Sequence, residues 1–108
     1  MSDYLFVQSQ DPFTETQSIH QYQLARDLAE AGHSVVVLLV QNGVAPARVN
    51  TTSDAFDTLL HSKVKVLADG FSLQQWEINR AQLKDGIHVA DVSAAVDALL
   101  AGHKVIWH

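Results

Sequence analysis

The residues of this 108-residue chain that could do chemistry fall into three short clusters, each where a strand is expected to end. The first is Asp69-Gly70-x-Ser72, between an apolar run and a helical pattern. A carboxylate there could contact a ligand or move a proton, since ligands of open parallel sheets sit outside the carboxyl ends of the strands. The plainer reading is favoured: Asp69 caps the helix or serves an Asp-Gly turn, and Ser72, three residues before Gln75, is a helix-start residue rather than a nucleophile. The second cluster is Ser9-Gln10-Asp11, in the loop after the first strand. The third is Asn42-Gly43, a turn after the second. All of these are candidate ligand contacts, and ordinary loop roles compete with each. No glycine-rich phosphate fingerprint is present.

The remaining candidates carry less. Six histidines (20, 33, 61, 88, 103 and 108) show neither H-x-H nor i, i+4 spacing, so no metal site and no cofactor is expected. No Ser/His/Asp triad is signalled. The chain has no cysteine, which removes disulfides, thiolate metal sites and any thiol nucleophile. Twelve acidic and seven scattered basic residues give a net charge of -5, so nucleic acid is not expected as a partner. The longest apolar run, Val35 to Val40, is too short to span a bilayer, and the first residues do not read as a signal peptide. A cytoplasmic protein without a membrane partner is the expectation.

These clusters need a scaffold, and the pattern supplies one. Tyr4–Val7 reads as a strand, and Pro12 interrupts the loop behind it. Thr14-x-x-Gln17 has capping-box spacing before a helix in which Ile19, Tyr22, Leu24, Ala25, Leu28 and Ala29 recur at helical spacing and which stops at Gly32. Ser34–Val40 is apolar without alternation, as a strand covered on both faces must be. Residues 44–53 read as a polar loop and 54–61 as a short helix. A strand at 64–68, a turn at Asp69-Gly70 and a helix at 71–78 follow, then a short strand at 87–89. Asp91 caps a helix at 92–101 with Val92, Ala95, Val96, Leu99 and Leu100 on one side, and a final buried strand carries Trp107 into the core. Trp76 is a core residue or an oligomer contact. Alternating strands and helices over residues 1–108 predict a single α/β domain, a three-layer sandwich with helices on both faces of a mainly parallel sheet.

The early strand and its loop, Asn42-Gly43, Asp69-Gly70-Phe71-Ser72-Leu73, and the closing Gly102 to His108 stand in an order and spacing that resemble the DsrE/DsrF-like (Tus-like) sulfur-relay family across nearly the whole chain. The resemblance implies about five strands in a flavodoxin-like topology, assembled as a trimer or hexamer. It also implies persulfide transfer in sulfur oxidation or tRNA thiolation. Asp69 stands where the transfer cysteine would lie, and Trp76-Glu77 where many relatives have Arg-Gly. A carboxylate can neither accept nor release sulfane sulfur. The expected function is therefore a non-catalytic scaffold or partner subunit, contacting itself and other sulfur-relay proteins. The alternatives are a small-molecule or anion-binding protein using the crevice near Asp69, and an enzyme with Asp69 as general base, for which the sequence offers no partner group.

Overall fold

The unbroken apolar run at the second strand sets the centre of the molecule. The computed structural model describes residues 2–108. It has strands β1 (Asp3–Gln8), β2 (Ser34–Leu39), β3 (Lys65–Asp69), β4 (Ile87–Ala90) and β5 (Lys104–Trp107), with helices α1 (Gln17–Glu30), α2 (Asp54–Leu60), α3 (Gly70–Gln75) and α4 (Ser93–Leu100) between them. The sheet order is β4-β3-β2-β1-β5, and every pairing is parallel. Right-handed crossovers then decide the layers. The chain steps one way from β1 to β4, which puts α1, α2 and α3 on one face. The return from β4 to β5 runs the other way, which puts α4 on the opposite face.

The two faces are unequally covered. On the first, Tyr22, Ala25 and Ala29 of α1, Phe56 and Leu59 of α2 and Leu73 of α3 pack on Phe6, Val37, Leu39 and Val66. Phe56 is wholly buried and meets Tyr22 edge-on at 5.8 Å between ring centroids; burying such a ring contributes about 2–3 kcal/mol. On the second face only Ala95 and Ala98 of α4 are buried, against Leu5, Val7, Leu38 and Val40. Val36, Leu67 and Val105 remain half-buried there.

Several sequence expectations are corrected. Helix α1 begins at Gln17, and Thr16, at the cap position, makes no side-chain cap bond. Asp11 takes over the turn that Thr14 was expected to make. Its carboxylate accepts from the Phe13 amide at 2.8 Å and its carbonyl from the Glu15 amide at 2.9 Å. The buried stripe of α1 is Ser18, Tyr22, Ala25 and Ala29, so Ile19 and Leu24 are exposed. Residues 41–47 form a 3-10 helix instead of a loop, with Val44 to Ala47 buried, because four successive small or apolar residues pack beneath α3. The turn at Asp69-Gly70 is instead a direct junction: Asp69 ends β3 and Gly70 starts α3. Helix α3 stops at Gln75, because Glu77 is left-handed (φ 56°) and the Ile78 amide bonds back to the Leu73 carbonyl at 2.9 Å.

Two corrections concern the thinly covered face. In α4 it is the alanines that meet the sheet, while Val96, Leu99 and Leu100, with Val92 at the cap position, are exposed. Small side chains let the helix backbone lie close to the strands, and that contact outweighs burial of the bulkier stripe. Strand β5 is an edge strand and Trp107 is 63% exposed, not core. Trp76 is half-buried and packs against the first core cluster.

Candidate functional site

Asp69 is the last residue of β3 and is 5% exposed. Its Oδ2 accepts from the Ser72 amide at 2.9 Å and from the Ser72 hydroxyl at 2.7 Å. The Ser72 hydroxyl in turn accepts from the Gln41 amide at 2.7 Å. Gln41, just past β2, is left-handed (φ 52°), which aims its N–H across to α3. One serine thus ties the end of β2, the end of β3 and the start of α3 together. Asp69 is a helix cap, and its carboxylate fills the place an anion would take at this helix start.

The cap also borders a pocket. A recess of about 520 Å³ opens at the carboxyl ends of the strands, with Asp69 and Ser72 at its base. Trp76, Phe71 and Trp107 form aromatic walls, and Val40 and Val92 add apolar surface. The side-chain amides of Gln41, Asn42 and Gln75 supply polar groups. Among the described residues Asp69 is the only titratable one lining it, and no lysine, arginine or histidine does. Oδ1 of Asp69 takes part in neither of the two bonds to Ser72.

Of the residues singled out in the sequence, Asn42, Asp69, Ser72 and Trp76 meet here. Gly43 is placed differently. It is buried against β1, and a Cβ on it would lie 2.0 Å from the Gln8 carbonyl oxygen. Gly70 lines a separate recess of about 460 Å³ behind α3, where a Cβ would stand 3.3 Å from Val89 Cγ1. Ser9 is held by the last residue: its amide donates to the His108 carbonyl at 2.7 Å and its hydroxyl donates to the same oxygen at 3.0 Å. Gln10 is exposed, and Asp11 shapes its own loop. The loop after β1 therefore lines a different part of the strand-end rim from Asp69.

Trp107, Phe71, Gln41, Gln75 and Val92 were not anticipated. For Trp107 the signal was present in part, since a residue at the carboxyl end of a parallel strand belongs to that rim. Placing it near Asp69 needed the strand order. Among the described residues no three of His, Asp or Glu come together as a metal-holding group. His33 and His103 occupy matching helix ends, each behind a left-handed glycine (Gly32 φ 97°, Gly102 φ 82°).

The model of the DsrE/DsrF-like family matches residues 2–108. The chain belongs to the DsrE/DsrF-like family. Solved structures of the same fold include MTH1491 from Methanobacterium thermoautotrophicum, a protein of unknown function, with TM-score 0.83, 18% identity and full coverage of both chains. The ychN protein from E. coli superposes with TM-score 0.87 at 16% identity, again over both full chains. BT1422 from Bacteroides thetaiotaomicron, a conserved protein of unknown function, gives 0.78 at 14% identity over 99% of this chain and 95% of its own. None of the curated proteins compared with the chain matches it. In this DsrE/DsrF-like chain the carboxylate of Asp69 lines a pocket that both tryptophans also line.

Proposed function

We propose that the chain is a non-catalytic DsrE/DsrF-like protein, an oligomeric scaffold or partner subunit in intracellular sulfur relay, serving sulfur oxidation or tRNA thiolation. The outward face of α4 carries this reading. Val92, Val96 and Leu99 are more than half exposed, and Leu100 is 83% exposed. A contiguous apolar surface of this kind marks an interaction site. The carboxylate at position 69 and the lack of any cysteine fit a subunit that organises the transfer without carrying the sulfur. Light scattering at micromolar concentration tests the assembly; a trimer or hexamer is expected, and a monomer overturns it. Incubation with a persulfide donor followed by mass spectrometry is expected to show no added sulfur.

A second reading places a small molecule in the strand-end pocket beside Asp69. Its support is the recess itself, of a size typical for small-ligand sites and mixed in lining. The anion version is disfavoured, because among the described residues no cationic side chain lines the pocket and Asp69 already occupies the helix start. The general-base version lacks a second titratable group in the lining. A thermal-shift screen of neutral, cationic and anionic compounds tests this reading, and a flat response across all three would remove it.

A further inference from the structure

We propose that the strand-end pocket takes a flat organic cation, a quaternised or protonated heteroaromatic ring, with its charge against Asp69 and its faces against the tryptophans. The inference rests on the small-molecule reading above and adds the class of ligand. Three features of the pocket converge on it. First, among the described residues the one charge in the lining is negative and nine-tenths or more buried, at Asp69. Oδ2 is committed to Ser72, while Oδ1 is outside that pair of bonds. The cap bonds satisfy one oxygen of the buried carboxylate, and a cation in the pocket would pair the charge through the other. Second, Trp76 and Trp107 line the recess with indole rings, the side chains that attract cations most strongly, and Phe71 adds a third ring. Third, nothing opposes the charge. The other polar groups are the hydroxyl of Ser72 and the neutral amides of Gln41, Asn42 and Gln75, whose oxygens can accept hydrogen bonds from a ring substituent. The net charge of -5 adds attraction at longer range. A phosphate or sulfonate would meet the same carboxylate with no cation to offset it.

The pocket carries its own reporter. The chain has two tryptophans and both line this recess, so intrinsic fluorescence reads it directly. The probes are N-methylquinolinium chloride as the cation, quinoline at pH 8 as its neutral counterpart, and naphthalene-2-sulfonate as the anion. Titrations of the full chain are followed by tryptophan quenching and by calorimetry. N-methylquinolinium is expected to bind at least tenfold more tightly than quinoline, and the sulfonate more weakly than either. Asp69→Asn keeps a capping side chain on α3 and is expected to abolish the preference for the cation while sparing quinoline. Trp107→Leu, at an exposed position, is expected to weaken both. Equal binding of cation and neutral probe, or an Asp69→Asn variant that still prefers the cation, overturns the assignment of charge and leaves the small-molecule reading standing. Silence from all three probes overturns both.

Discussion

Asp69 receives two hydrogen bonds from a single residue, Ser72, and both land on the same carboxylate oxygen, at 2.9 Å from the amide and 2.7 Å from the hydroxyl. Asp69→Ala removes the cap of α3 and leaves the buried Ser72 hydroxyl without its acceptor. The two losses together are expected to cost about 2–3 kcal/mol in urea unfolding. Asp69→Asn, which still caps, is expected to cost under about 1 kcal/mol. Equal losses for both variants would show that the charge matters more than the hydrogen-bond geometry.

Gly43 allows the 3-10 helix after β2 to press onto β1. A methyl group there would sit 2.0 Å from the Gln8 carbonyl oxygen, a backbone atom that cannot rotate away. Gly43→Ala is therefore expected to lower stability by about 3 kcal/mol, at the upper end for overpacking. A denaturation midpoint close to that of the unaltered chain would mean that the segment shifts bodily.

Tyr22 is buried with its hydroxyl unpartnered. Tyr22→Phe removes an unsatisfied polar atom while keeping the ring on Phe56, so stability is expected to be unchanged or to rise by about 1 kcal/mol. Burial, and after it the Asp11 carboxylate, raise the phenol pKa above its ordinary value of 10.0. The folded chain therefore holds this proton where the unfolded chain has lost it. Stability due to this group is full below pH 10 and declines as the pH rises beyond it. The alkaline decline in unfolding free energy is expected to be shallower in Tyr22→Phe, and identical slopes would contradict this.

The outer stripe of α4 offers a variant that separates assembly from folding. Val96→Glu with Leu100→Lys puts an i, i+4 ion pair on exposed helical positions, which favours the helix by about 0.3–0.5 kcal/mol. A drop in mass by light scattering with an unchanged circular dichroism spectrum is expected. An unchanged mass would place the assembly surface elsewhere.

Much of the scaffold was legible because its signals are local. The run Val35 to Val40 could only be a strand covered on two sides, and Gly32 and Gly102 mark helix ends where φ is positive. The cap at Asp69 was legible for the same reason. What was not legible depends on neighbours distant in sequence. Helical spacing groups Val92, Val96 and Leu99 with each other, but it does not say that Ala95 and Ala98 will be the face laid on the sheet. Trp107 reads as core until the strand order makes β5 an edge. The pocket suffers most, because Trp76, Asn42 and Trp107 come together only once five strands are in register.

The last strand, β5, has the first strand as its neighbour, and the Gln8 side chain bonds to His108 across 100 residues of sequence. Such a sheet cannot be finished from its middle outward with local pairings alone. Closing a loop that long costs entropy before the docking contacts reward it, so seating of β5 is expected to be a late and comparatively slow event in folding. Until then the flank of β1 stays open, and a nascent or heat-loosened chain would be most vulnerable to pairing with another molecule along that seam.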